Sequence, residues 1–125
     1  MARLRGPKGC PWDRQQTHAS LVRYLFEEAQ ELKKSIRKKD YRNMEEELGD
    51  VLLQVIFHAQ LAQEKGRFTI DDIIRTLIRK LMLRHPHVFG YRPEHRRLLK
   101  GRRLETSQDV LANWGTLKKI STRRS

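Results

Sequence analysis

The chain is poor in cysteine and has no long apolar run. Its one cysteine, Cys10, cannot form a disulfide within the chain, which favours a reducing, cytoplasmic location. No segment approaches the ~18–20 apolar residues of a membrane span, and residues 1–16 hold basic residues without the apolar segment of a signal peptide. We therefore expect no membrane partner and no signal peptide.

Strand patterns and phosphate-binding loops are also missing. No segment alternates apolar and polar residues over the length of a strand, no internal repeat occurs, and no glycine-rich loop of the P-loop type is present. Cys10 has no His–Asp constellation near it in the sequence, so a thiol nucleophile is excluded. Apolar residues at helical spacing remain, and in 125 residues they predict a single all-α domain.

Four segments carry the apolar spacing of amphipathic helices. They span about 17–39, 42–65, 70–85 and 107–119, and the rest is predicted as an irregular N-terminal arm at 1–16, a basic loop at 92–106 and a basic tail at 120–125. The second helix is apolar almost all round, and such a helix buries poorly in a monomer of this size. We therefore expect a homodimer, or a higher homo-oligomer, in which the chains complete a helical bundle.

The charge of the chain is large and unevenly placed. A net charge of +12 predicts attraction to polyanions. Basic residues crowd 92–103 and the C-terminal tail, whereas acidic residues concentrate between Glu27 and Asp50. A metal–polyphosphate site in a basic protein would have this distribution, and so would a nucleic-acid binder with an acidic helix face, so the charge alone leaves both open.

Two pairs of carboxylates carry the most specific signal in the chain. They are placed as Glu28-x-x-Glu31 and Glu47-x-x-Asp50, each inside a predicted helix. A spacing of three residues separates the side chains by about 60° around a helix and roughly one turn along it. On facing helices, the two pairs would bring four carboxylates to one point, which is a cage for Mg²⁺ or Mn²⁺.

The surroundings of the second pair favour a cage over a solvated acidic face. Glu47, Asp50, Gln54 and His58 form one polar stripe, about 80° wide by helical geometry, on a helix that is otherwise apolar. Charged groups are rarely buried unless they are paired or bind metal. His58 is either a partner of the metal site or a hydrogen-bonded core histidine, and the sequence leaves both open.

These residues and two flanking segments resemble the MazG-type nucleoside triphosphate pyrophosphohydrolases. The acidic pairs, together with Glu27, look like the EExxE…ExxD signature of that family, and the flanking segments are Gly9-Cys10-Pro11-Trp12-Asp13 and Arg84-His85-Pro86-His87-Val88-Phe89-Gly90. The resemblance implies an all-α pyrophosphatase fold and a cofactor of Mg²⁺, or Mn²⁺ in its place. It also implies hydrolysis of an NTP or dNTP to the nucleoside monophosphate and pyrophosphate.

The resemblance assigns roles residue by residue. It implies metal ligands at Glu28, Glu31, Glu47 and Asp50. A carboxylate that is not fully used by metal, either Glu27 or Glu28, could take the proton of the attacking water as general base.

The same resemblance implies a set of substrate contacts. Lys80 and Arg84, four residues apart on the third helix, match basic residues that bind the polyphosphate. Trp114 matches an aromatic residue near the nucleotide. MazG proper often carries two tandem domains, whereas this chain holds one.

Two alternatives stay open. The first is a basic helical module that binds nucleic acid nonspecifically through residues 92–103 and the tail, without catalysis. The second is a narrower relative directed at dUTP or phosphoribosyl-ATP, which the Cys-Pro-Trp-Asp and His-Pro-His segments disfavour. The base preference of the site does not follow from the sequence.

Overall fold

The structure, a computed structural model, describes residues 1–122; Arg123 and Arg124 of the predicted tail lie outside the described residues. Every regular element in the described part is a helix, which confirms the all-α prediction. The helices are α1 (Ala2–Arg5), α2 (Pro11–Gln15), α3 (His18–Arg37), α4 (Tyr41–Glu64), α5 (Ile70–Arg84), α6 (Pro86–Phe89), α7 (Pro93–Leu99), α8 (Ser107–Ala112) and α9 (Trp114–Thr122). None of them is long and apolar enough to cross a membrane.

The chain divides into two compact units, Met1–Ile70 and Asp71–Ser125. A single domain over residues 1–125 therefore stays a prediction. In the first unit, the long helices α3 and α4 pack against each other. Leu21, Phe57 and Leu61 form the buried cluster between them, and Met1 and Tyr24 pack against its margin.

Short-range hydrogen bonds fix where the two long helices begin. The Thr17 hydroxyl accepts the backbone N–H of Ser20 while the Ser20 hydroxyl accepts that of Thr17, which is a capping box. The Asp40 carboxylate accepts the Asn43 N–H at the start of α4. Lys39, with φ of 55°, makes the sharp turn between the helices. Helix α4 consequently starts at a defined register, which sets the positions of Glu47 and Asp50.

The N-terminal arm is not irregular, so that prediction is wrong. It contains α1 and α2, which are too short to show an apolar period in the sequence. Pro11 opens α2, where its fixed φ suits the first turn. Arg5 holds the arm in place: its Nε lies 2.8 Å and its Nη2 3.0 Å from the Glu64 carboxylate, and Nη1 donates to the carbonyl of Asp13. The arm is thus attached to the C-terminal end of α4.

The second unit is built around a cluster of leucines. Leu99, Leu104 and Leu117 are buried, with Val110 and Trp114 packed against them. His95 is fully buried and uses both ring nitrogens: Nδ1 accepts the Arg92 N–H at 3.0 Å, and Nε2 donates to the Leu83 carbonyl at 2.6 Å.

Two predictions for the second unit are corrected. The predicted basic loop at 92–106 contains α7, which Pro93 opens and which ends at Lys100 in the left-handed conformation. The predicted helix over 107–119 is two helices, α8 and α9, separated at Asn113, and α9 continues to Thr122 in the segment predicted as tail. The Asn113 amide donates to the Asp109 carbonyl, a local side-chain bond that competes with a continuous helix.

Candidate active site

Three of the predicted metal ligands come together where α3 and α4 face each other. Glu28, Glu47 and Asp50 each offer one carboxylate oxygen, and these oxygens lie within 4.8 Å of one another. Helix α3 supplies the first and α4 the other two, so the packing of the long helices builds the group. We refer to these three side chains as the acidic cluster.

The carboxylates of the acidic cluster form no ion pair within residues 1–122. Burial raises the pKa of Glu28, and so do the charges of Asp50 and Glu47 and a hydrogen bond with Glu47. Oε2 of Glu47 is buried and has no hydrogen-bond partner among residues 1–122. Such an oxygen costs free energy unless something pairs with it. A hard divalent cation is the partner that three converging carboxylates suit best.

Glu31 and Glu27 make pairs with neighbouring cations on α3. The Glu31 carboxylate accepts from Lys34 Nζ at 3.1 Å and is not part of the acidic cluster. Glu27 lies 3.7 Å from Arg23 Nη2. Both pairs are exposed to solvent, and exposed pairs contribute little free energy, so neither fixes its carboxylate in place. The roles of Glu31 as a ligand and Glu27 as a base stay predictions.

His58 lies on the predicted polar stripe, but its partner in the structure is another histidine. Its Nδ1 lies 2.7 Å from Nδ1 of His18, and the two rings are nearly parallel. One nitrogen must donate and the other accept, so the pair shares one hydrogen at that position. Burial and the neighbouring His18 lower the pKa of His58. No pattern in the sequence links His18 with His58, because the contact is made by packing.

A cavity of about 340 Å³ adjoins the acidic cluster in the first unit. Glu28 lines one part of it, and the rest of its lining includes Trp12, Leu21, Tyr24, Leu53 and Gln54. The Trp12 and Tyr24 rings meet edge to face at 5.6 Å. The sequence places Gln54 on the polar stripe of α4 but does not indicate that it lies near Tyr24. The only sequence signal for a role of Gln54 is that the polar stripe continues beyond the predicted metal ligands.

Gln54 is the most unusual residue of this cavity. It is 7% exposed, and its Oε1 is buried without a hydrogen-bond partner in the described part of the chain. It lies one helical turn beyond Asp50, on the same face of α4. Gln54 therefore brings to the cavity lining an amide whose acceptor is unsatisfied among residues 1–122.

The predicted substrate contacts lie in the second unit. Arg84 Nε donates to the Ser121 hydroxyl at 2.8 Å, and its guanidinium stands over the Trp114 ring at 5.6 Å from the centroid. Lys80 is half-buried on α5, one turn before Arg84. The structure therefore brings Arg84 and Trp114 together within their own unit.

The chain resembles known proteins over most of its length. The family described as the MazG nucleotide pyrophosphohydrolase domain matches residues 16–89, which include the whole acidic cluster. The chain belongs to the MazG family. The predicted MazG-type pyrophosphohydrolase domain is thereby confirmed. Trp12 and Trp114 lie outside the matched residues.

Individual MazG relatives agree with this assignment. The chain is 62% identical over 93 residues to the nucleoside triphosphate pyrophosphohydrolase/pyrophosphatase MazG of Thermotoga maritima, covering 74% of this chain and 36% of that protein. It is 44% identical over 119 residues to the nucleoside triphosphate pyrophosphohydrolase of Escherichia coli K12, covering 94% of this chain and 41% of that protein. The uncharacterized protein YabN of Bacillus subtilis is 48% identical over 122 residues, which are 98% of this chain and 23% of that protein.

The fold also matches a solved structure of a MazG relative. The crystal structure of a mazG-related protein from Thermotoga maritima superposes with a TM-score of 0.65 at 24% identity, covering 95% of this chain and 99% of that one. This likeness concerns the fold alone. The curated relatives above are longer, and the chain spans between 23% and 41% of their length.

Proposed function

We propose that this MazG domain hydrolyses nucleoside triphosphates, NTP or dNTP, to the nucleoside monophosphate and pyrophosphate, with Mg²⁺ or Mn²⁺ as cofactor. The observation that carries the proposal is the acidic cluster, with three carboxylate oxygens within 4.8 Å and one buried, unpaired oxygen on Glu47. The names of the Thermotoga and Escherichia relatives support it. A cytoplasmic location, favoured by the single Cys10, stays part of the proposal.

The residues of the acidic cluster fit a hard divalent cation. Glu28, Glu47 and Asp50 would hold it, with Glu31 as a fourth ligand once it leaves Lys34. A bound cation of this kind supplies neutralisation of phosphate charge and a lower pKa for bound water. What the chain itself supplies is a fixed set of oxygen donors, because α3 and α4 set their spacing before any ligand arrives.

The protein's part in the reaction is to orient the triphosphate and to accept a proton. Water oxygen forms a bond to the α-phosphorus, and the bond from that phosphorus to the oxygen bridging to the β-phosphorus breaks. Pyrophosphate leaves with the bridging oxygen. The proton of the water passes to a carboxylate, for which Glu28 and Glu27 are the proposed bases.

We assign Lys80, Arg84 and Trp114 to substrate binding in the same proposal. Lys80 and Arg84 carry the positive charge that the β- and γ-phosphates require, and the guanidinium of Arg84 is held by Ser121 and Trp114. Trp114 is placed near the nucleotide in this proposal through Arg84, whose guanidinium stands over its ring and would bind the β- and γ-phosphates.

The exposed apolar surface of the first unit supports a homodimer or higher homo-oligomer. Leu48, Leu52 and Val55 form a row on α4 and are all exposed, as are Leu25 and Phe26 on α3. An exposed apolar row at helical spacing is what one helix presents to another in a bundle. We propose that a second copy of the chain covers it.

A second candidate function rests on the charge of the second unit. Residues 71–125 hold 14 Lys and Arg against 5 Asp and Glu, whereas residues 1–70 hold 13 against 10. Arg96, Arg102 and Arg103 line a cavity of about 530 Å³ there. The charge favours nonspecific binding of nucleic acid as a polyanion. A function in nucleic-acid binding would not explain the acidic cluster.

The deciding experiment measures the release of pyrophosphate and nucleoside monophosphate from a panel of NTPs and dNTPs. The wild-type chain should release both in equal amounts with Mg²⁺ or Mn²⁺ and neither with EDTA. Glu47→Gln should abolish release, whereas Glu45→Gln, an exposed acid on the same helix, should not. A single-stranded oligonucleotide should bind both variants equally. Release of orthophosphate instead would show attack at another phosphorus, and an inactive folded chain that binds the oligonucleotide would favour the second candidate.

A further inference from the structure

The cavity beside Glu28 has the walls of a site for a flat, partly polar group. Trp12 and Tyr24 give it aromatic surface, and Leu21 and Leu53 give it apolar surface. Trp12 is 47% exposed, which is high for an aromatic residue, and it lines the cavity. Aromatic rings of this kind stack on nucleobases.

The cavity also contains one polar group that a ligand would satisfy. Gln54 lines the cavity, and its Oε1 is buried and has no hydrogen-bond partner in the described part of the chain. A buried acceptor of this kind binds an N–H donor and disfavours an analogue that lacks one. A side-chain amide pairs best with an amino group that stands beside a ring nitrogen, as Asn and Gln do with adenine.

The position of the cavity links it to the acidic cluster. Glu28 belongs to both, and Gln54 follows Asp50 by one turn of α4. A ligand with its anionic end at the carboxylates would thus place its other end near Trp12 and Gln54. A nucleotide has this shape, with a phosphate chain at one end and an aromatic base at the other.

We propose that this cavity receives the base of the nucleotide, and that Gln54 selects adenine and cytosine, whose amino group stands at the position where guanine, uracil and thymine carry a carbonyl oxygen. This inference rests on the proposed hydrolase function. Trp12 supplies the stacking surface, so the N-terminal arm is part of the substrate site. Trp114, the aromatic residue implied by the family resemblance, already has Arg84 over its face and packs on the leucine cluster.

A direct test uses the two tryptophans as separate reporters. In ¹⁵N-labelled protein, each indole Nε1–H gives one signal, and Trp114→Phe assigns them. AMP added without metal should shift the Trp12 signal and leave the Trp114 signal in place, while ribose 5-phosphate, which lacks a base, should shift neither. A shift of the Trp114 signal alone, or of neither signal at millimolar AMP, would overturn the inference.

The second test measures selectivity with Gln54→Leu, which keeps the size and removes the acceptor. The ratio of kcat/KM for ATP over UTP should fall by about tenfold, which corresponds to ~1.4 kcal/mol. Gln63→Leu, on an exposed position of the same helix, is the matched control and should leave the ratio unchanged. Trp12→Ala should raise KM for every NTP with little change in kcat.

Mn²⁺ affinity, measured by electron paramagnetic resonance, separates the base site from the metal site. It should be the same in wild type, Gln54→Leu and Trp12→Ala. If wild type hydrolyses NTPs but Gln54→Leu keeps the wild-type ratio, the inference fails and the hydrolase function stands. If wild type shows no hydrolysis while AMP still shifts the Trp12 signal, the hydrolase function fails and the cavity remains a base site.

Discussion

Glu28 is a residue at which stability and the proposed function oppose each other. Its carboxylate lies partly buried beside Glu47 and Asp50, and burial and these charges raise its pKa. The ionised form is therefore less favourable in the folded protein than in the unfolded chain. A cation that binds the three carboxylates would remove this penalty. In the proposed function, the same repulsion that destabilises the metal-free protein therefore raises its affinity for metal.

Glu28→Gln should make the stability of the metal-free protein less dependent on pH. Between the ordinary pKa of glutamate and the raised value in the fold, the native state holds more protons at Glu28 than the unfolded state does. The contribution of Glu28 to the free energy of unfolding is therefore lost as the pH rises through that window. Urea unfolding in EDTA from pH 4 to pH 7 should show a smaller loss in the variant than in wild type.

The same variant should lose at least about 100-fold in hydrolysis, since it removes a ligand and a proposed base. Glu45→Gln is the matched control for both measurements. Equal pH dependence of unfolding in wild type and Glu28→Gln would contradict the electrostatic account of the cluster.

At the scale of elements, the attachment of the N-terminal arm decides the position of Trp12. Arg5 joins α1 to the end of α4 through both oxygens of Glu64 and also reaches the Asp13 carbonyl in α2. Gly9 permits the close turn between α1 and α2, because a Cβ there would come within 2.1 Å of the Leu4 carbonyl oxygen. The N-terminal arm is thus held in place by these contacts and forms one wall of the cavity.

Arg5→Met should loosen this wall without touching the acidic cluster. It removes charge-assisted hydrogen bonds from a mostly buried guanidinium, which should cost about 1–3 kcal/mol in the free energy of unfolding. KM for NTPs should rise severalfold, whereas kcat should change little. Urea unfolding and steady-state kinetics measure the two effects, with Arg3→Met, an exposed arginine of the same helix, as control. An unchanged KM in a destabilised variant would show that the arm serves stability alone.

At the scale of the whole molecule, the exposed apolar row on α4 predicts self-association. Leu52 is 55% exposed in the single chain, yet it continues the row of Leu48 and Val55 at helical spacing. Leu52→Glu should therefore convert a dimer or higher oligomer to a monomer, because a charge cannot be buried unpaired in an apolar interface. Sedimentation velocity measures the change, and Gln63→Glu adds the same charge on the same helix as a control. A monomeric wild-type chain at micromolar concentration would contradict the proposal.

Much of the fold followed from the sequence because its signals are local. The apolar period predicted α3 and α4 to within a few residues, and the alternation that strands require was absent. The short helices α1, α2, α6 and α7 were not predicted, because four to seven residues are too few to show a helical period.

The sequence by itself also predicted the chemistry of the site, and the tertiary structure decided which of the predicted side chains lie together. Spacing placed Glu47 and Asp50 on one face of a helix, and the family resemblance gave them a role. Only packing decided that Glu28 joins them, that Glu31 pairs with Lys34, and that Gln54 faces a cavity walled by Trp12. The physical reason is that helical periodicity fixes neighbours along one helix, whereas contacts between helices depend on how side chains from distant parts of the chain fill the space between them.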